Sequence, residues 1–218
     1  MVSFTICNTG LGLKKQYVKD IYETYIGKKS ELEEFRRRRA NGMQPPDLPF
    51  EFHADLRTLQ MPLLPIDVLR TQVYESISVT GRPLALVATL SGVVASLVET
   101  IQRRNALIER FQELGPAGEA QLPAFYFGIP YGPGHVSTEF SDTVESLHSL
   151  SDDVIFFSDL LGQDLMVHGN RLLNQYKKVA KVKKETISSA DFTEARKQGL
   201  MPNPADYADW LQGFVSKA

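Results

Sequence analysis

The sequence predicts an all-α fold: an elongated antiparallel bundle of three long helices and one short helix, with a small helical C-terminal extension. Three observations carry that expectation. From about Ser137 to Lys184, apolar or small residues recur every three or four positions, namely Phe140, Val144, Leu147, Ser151, Val154, Ser158, Leu161, Leu165, His168, Leu172 and Val179. This spacing places them on one face of a helix about 70 Å long if unbroken, and other long helices are needed to cover such a face. Two further stretches carry the same period. Helix-breaking pairs (Asn41-Gly42, Thr80-Gly81 and Gly115-Pro116) fall where each periodic run stops.

Taken in order, the first helix is expected over Leu13 to Ala40, with Val18, Ile21, Tyr25, Leu32 and Phe35 as its stripe. Gly27 is its weak point. Residues 43–65 form a proline-rich connector. A short helix starts near Pro65, with Ile66, Leu69, Val73 and Ile77 on one face. Pro83 fits the first turn of the third helix, where its missing N–H costs nothing. That helix runs to about Leu114 on Val87, Leu90, Val94, Leu97, Ile101, Ile108 and Phe111. Residues 117–136 are a second connector before the long fourth helix, which Gly162 and Gly169 are expected to kink or divide. Asp191 to Gln198 reads as a short helix closed by Gly199, and Asn203-Pro204 opens a last one. The expected organisation is a bundle domain over 1–184 and an extension over 185–218, packed on the bundle or on a partner.

Composition narrows the function. Hydrophobic residues make up 43% and charged residues 23%, enough for a sizeable core and too apolar for disorder. A net charge of −2 gives no global pull toward nucleic acid or anionic lipid, so no nucleic-acid partner is expected. The lone cysteine, Cys7, cannot form an intramolecular disulfide, which fits a reducing, cytoplasmic setting. The alternative is the soluble domain of a membrane-anchored protein. Residues 1–13 lack the basic start and A-x-A site of a secretory signal. They read as a native terminus or as the end of a longer apolar segment. The apolar run Pro83 to Val98 is shorter than the roughly 20 residues that span a bilayer, so a buried core helix is expected instead.

The connectors carry Phe50, Phe52, His53, Phe125, Tyr126, Phe127, Tyr131 and His135. Alternating helix directions would bring both connectors to one pole, beside Arg36, Arg37, Arg38 and Arg39. Aromatic anchors ringed by arginine have the composition of binding hot spots. The simpler reading makes the aromatics a lid on the bundle and pairs the arginines with Glu31, Glu33 and Glu34 at a helix C-terminus. A second basic run, Lys177, Lys178, Lys181, Lys183 and Lys184, has the same simple explanation.

Glu145, His148 and Asp152 project from one side of the long helix. Glu-x-x-His is the spacing of carboxylate-bridged metal bundles, but those need two such motifs and two more glutamates. Asp164 and His168 do not complete the set. Arg104 and His168 interrupt apolar stripes, and Arg104 is expected to meet an acid on a neighbouring helix or to reach out to water. Tyr207, Trp210, Leu211 and Phe214 share a face that is expected to fold back on the bundle. No phosphate loop, dinucleotide fingerprint or catalytic triad motif appears.

These features predict a non-enzymatic binding protein without a cofactor, recognising a protein partner or a second copy of itself at the aromatic pole. A sensor for a small anionic or aromatic ligand is the alternative, and a metalloenzyme using Glu145 and His148 is the third reading.

Overall fold

The computed structural model describes residues 2–42, 54–76, 81–115, 118, 121–128, 138–180 and 186–214. The fold is all-α, with no strand among the described residues. Helix α1 (Val2–Leu13) continues through a π-helical stretch (Lys14–Val18) into α2 (Lys19–Ala40). There follow α3 (Ile66–Tyr74), α4 (Arg82–Gln112), the short α5 (Leu122–Phe127) and α6 (Glu139–Ala180). Helix α7 (Thr193–Lys197), a 3-10 turn (Pro204–Tyr207) and α8 (Ala208–Gln212) complete the order. Long neighbours run antiparallel: Tyr22 and Tyr25 of α2 meet His148 and Glu145 of α6, one rising as the other falls.

The chain forms two compact units. One takes Met1–Lys14, Pro62–Ser96 and Leu150–Ala218; the other takes Lys15–Met61 and Leu97–Ser149.

In the first unit α1 lies close against α6, and glycine allows it. A Cβ on Gly10 would stand 3.1 Å from Val154 Cγ1 and 3.2 Å from Ile155 Cγ1, and one on Gly162 would fall within the Phe4 ring. The residue expected to divide the long helix therefore receives an aromatic ring, and α6 runs unbroken for 42 residues. Helix formation also begins at Val2 rather than near Leu13. Two threonines and two glycines weaken local propensity there, but burial of Phe4, Ile6, Cys7, Leu11 and Leu13 outweighs it. Lys14, buried at the start of the π-helical stretch, is held by Asp152. Arg82 of α4 forks onto Asp164 of α6, with Nε 2.8 Å from Oδ2. Asn170 clamps the extended segment at Ile187: its amide donates to the Ile187 carbonyl at 3.0 Å and accepts from the Ile187 N–H at 2.8 Å. Phe192 and Leu200 close over Phe4, Cys7, Leu11 and Ile155.

The second unit is built the same way. Asn105 of α4 exchanges two hydrogen bonds with the backbone of Leu59, at 2.9 and 2.8 Å. Beside it the fully buried Arg104 donates to the carbonyls of Arg57 at 2.6 Å and Asp55 at 3.2 Å, and its guanidinium lies 5.5 Å from the Phe140 ring centre. Arg104 thus meets backbone carbonyls of a connector, not an acid of a neighbouring helix. Burial, the largest influence, pushes its pKa down to about 10.

The apolar stripe of α6 is covered through Leu161. Beyond it Leu172 is exposed, and Leu165 and His168 are half-buried. Among the described residues, α4 is the one helix long and apolar enough to cross a membrane by length and composition, with a mean hydropathy of 1.9 over its best window, 33% of it buried. Its covered side carries Leu86, Val87, Leu90, Val94, Leu97 and Ile101, as the periodicity predicts.

Two outcomes test this packing. Gly162→Ala should lower unfolding free energy by about 1–3 kcal/mol, because the new methyl has no room beside Phe4. Phe4→Leu in the Gly162→Ala background should recover part of that loss in a denaturant-melt double-mutant cycle. Asn105→Ala should cost about 1–3 kcal/mol, since it strips both partners from Leu59. It should also speed hydrogen exchange at the Leu59 amide.

Candidate functional site

In the first unit, the side of α6 that carries Phe156, Asp159, Leu160 and Gln163 meets the C-terminal segment. Two anchors hold that segment. At one end Leu200 is buried, after Gly199 (φ 65°) turns the chain out of α7. At the other end Tyr207 stacks on Phe156 with centroids 3.8 Å apart and donates to Asp153 Oδ1 at 2.9 Å. Trp210 then sets its edge against Phe157 at 5.1 Å, and Phe214 packs on Trp210 at 4.7 Å. The fold-back expected from the spacing of Tyr207, Trp210, Leu211 and Phe214 is present.

Between the anchors the chain does not close onto the helix. Pro202 and Pro204 fix their own φ and offer no N–H, and Asn203 spends its side chain on the Ala205 N–H at 3.1 Å. A cleft of about 460 Å³ remains, lined by Phe156, Asp159, Leu160 and Gln163 of α6 and by Arg196, Met201, Pro202, Pro204 and Leu211. The volume lies within the range usual for ligand sites. Asp159 accepts one hydrogen bond, from Gln163 Nε2 at 2.9 Å. Burial pushes its carboxyl up from the ordinary value, while Arg196 and Gln163 pull it back. Among the described residues neither Asp159 nor Arg196 stands within ion-pair distance of an opposite charge, although each feels the other's field. Asp153 is likewise raised, by burial first.

The residues singled out from sequence lie elsewhere. Phe125, Tyr126 and Phe127 fall on α5 and belong to an aromatic cluster inside the second unit. Phe125 stacks on Phe111 at 4.2 Å, and Tyr126 and Phe127 lie 6.0 and 6.2 Å from Tyr25. Tyr126 is fully buried, and burial pushes its hydroxyl up to about 12. Two of the aromatics expected at a recognition surface, Tyr126 and Phe127, are thus interior, and Phe125 is half-buried beside them. Phe50, Phe52, His53, Tyr131 and His135 lie outside the described residues, as does the side chain of Arg39. Arg36, Arg37 and Arg38 are exposed, and Arg37 and Arg38 pair with Glu34 at 2.5 and 2.9 Å. Of the lysine run, Lys181, Lys183 and Lys184 lie outside the described residues.

Glu145, His148 and Asp152 do not converge. Glu145 accepts from the Tyr25 hydroxyl and from Lys29 Nζ, both at 2.9 Å, and Lys29 holds its carboxyl below the usual range. His148 stacks flat on Tyr22 at 3.8 Å, and Asp152 pairs with Lys14. Asp164 is taken by Arg82, so it does not join His168. Among the described residues no three His, Cys, Asp or Glu side chains gather. Cys7 is fully buried beside the Ile155 carbonyl, and burial pushes its thiol up to about 12, far from a reactive thiolate.

Sequence reasoning missed Asp159, Arg196 and the cleft walls. One signal was present: Asp159 falls four residues after Ile155 and three before Gly162, in a row whose other members are packed. No family model matches the chain, and no curated protein or solved structure is significantly similar to it.

Asp159 gives a pH-dependent test. A carboxyl raised by folding binds its proton more readily folded than unfolded. Its cost to stability is therefore present above the folded pKa and gone below the ordinary value of 3.8. Asp159→Asn should raise Tm at pH 7 by on the order of 2 °C. The gain should vanish at pH 3, where calorimetry compares two uncharged side chains.

Proposed function

We propose that this chain is a non-enzymatic binding protein whose recognition site is the cleft between α6 and the C-terminal segment. The observation that carries this reading is an open, preformed cavity with largely apolar walls, holding a half-buried carboxylate and an arginine that do not pair. A few convergent polar groups in an apolar cleft are the usual make-up of a binding site. Among the described residues the walls contain no serine, cysteine, histidine or lysine, and Asp159 is their one acid. Acid–base or nucleophilic chemistry would need a second group within hydrogen-bond reach.

The aromatic pole is the weaker seat for recognition, because Tyr126 and Phe127 are buried in the second unit and the half-buried Phe125 stacks on Phe111. A protein partner is the favoured occupant of the cleft, and a small organic ligand is the second reading, favoured by the cleft volume. An unreactive, buried Cys7 is compatible with a soluble protein in a reducing compartment.

Indole serves as a neutral apolar probe, with the methyl resonance of Met201 as the reporter. The expected result is a saturable shift that Leu160→Trp abolishes by filling the cleft, with the helical circular dichroism retained. No shift at millimolar indole, or an equal shift in the filled variant, would remove the cleft as a recognition site.

A further inference from the structure

We infer that the cleft takes a short apolar peptide in extended form, one backbone N–H donated to the Asp159 carboxylate and one backbone carbonyl accepting from the Arg196 guanidinium. This rests on the reading of the cleft as the recognition site and adds the class of occupant.

The argument begins with charge. Asp159 and Arg196 line one cavity, feel each other's field and stop short of an ion pair. A ligand carboxylate seated on Arg196 would come under the repulsion of Asp159. An ammonium seated on Asp159 would meet that of Arg196. A neutral group with a donor at one end and an acceptor at the other satisfies both, and the peptide group is such a dipole. Asp159 has acceptor capacity to spare, since Gln163 supplies its one hydrogen bond from a side chain. Arg196 has no carboxylate partner among the described residues and presents a planar fork of donors.

The walls supply the rest. Phe156, Leu160, Met201 and Leu211 offer apolar surface to side chains flanking the bonded peptide group. The outer wall of the cleft is also anchored at both ends. Leu200 and the Tyr207–Phe156 stack pin its outer segment, and two prolines stiffen the span between them. A preformed site avoids the ordering cost that weakens binding by loose segments. Asp159 adds a second line of support: burial raises its carboxyl, and a carboxyl so perturbed in a cleft is a candidate for binding.

The test uses the whole chain and three defined probes: N-acetyl-leucyl-phenylalaninamide, the same peptide with a free carboxylate, and the same peptide with a free amine. Trp210 is the sole tryptophan and sits one residue from the cleft wall at Leu211, so its emission reports binding of probes that lack indole. The doubly capped peptide should bind saturably and at least about 5-fold more tightly than either charged form, since each charged form meets one like charge. Asp159→Asn and Arg196→Gln should each weaken it about 10-fold, because charge-assisted bonds become neutral or are lost. Lys197→Gln, on the same short helix but away from the cleft walls, should leave binding unchanged.

Equal or tighter binding of a charged form would overturn the proposal in favour of a small charged ligand. So would capped-peptide binding indifferent to both cleft variants. If the peptide fails to bind while indole still shifts Met201, the peptide inference fails and the binding site stands. If neither probe acts, both readings fall together.

Discussion

The first unit depends on one close contact, the approach of α1 to α6. A helix pair packs at this distance only where a side chain is missing from the interface, and Gly10 and Gly162 supply that absence at two levels. Phe4 then occupies the space above Gly162, and Cys7, Leu11 and Ile155 fill the seam, with Phe192 and Leu200 closing over it. The same C-terminal segment that closes this seam with Phe192 and Leu200 goes on past Phe156, Asp159, Leu160 and Gln163 of α6. The cleft thus borders the glycine-lined seam: Leu200 and Met201 pack on the core of that seam, and Pro202 and Pro204 follow in the cleft wall.

A second constraint concerns backbone that is not helical. Residues 54–65 and 186–191 run along helices without a regular hydrogen-bonding partner, and buried amides left unpaired are costly. Each unit solves this with one asparagine. Asn105 and Asn170 each offer a carbonyl and an amide to the N–H and C=O of one facing residue, reproducing two bonds of a strand ladder from a helix. Arg104 extends the device by capping two further carbonyls. Its buried guanidinium is then a structural fastening for a connector, which accounts for a charge inside an apolar stripe.

Helical periodicity was legible because it depends on residues within one segment. The stripes of α4 and α6, the breaks at Gly42, Gly81 and Gly115, and the fold-back of Tyr207 and Trp210 onto α6 all follow from spacing. What depends on a distant partner was not legible. Nothing local distinguishes a glycine that kinks a helix from one that receives a ring, so Gly162 read as a break. Residues 1–13 read as a terminus ahead of a helix beginning near Leu13, while burial against α6 makes them helical from Val2. The aromatic run at Phe125 to Phe127 read as loop because the six-residue α5 is too short to show a period. Asp159 and Arg196 are 37 positions apart by number, and only the fold-back of the C-terminal segment brings them to one cavity.

The character of the two sets of acids separates fold from function. Asp152, Asp164 and Glu145 each face a lysine or arginine from a neighbouring helix, so the charge of each is answered within the fold. Asp159 differs: it is desolvated, receives a single side-chain amide, and faces an arginine that remains at a distance. A carboxylate under those conditions resists folding, and an asparagine or a leucine would fill the place at lower cost. Stability accounts for the paired acids and does not account for this one. The same reasoning applies to the open space around it, which leaves apolar surface of Phe156, Leu160, Met201 and Leu211 unfilled. Two departures from the most stable arrangement meet at one place, and an occupant that supplies a donor, an acceptor and apolar flanks resolves both.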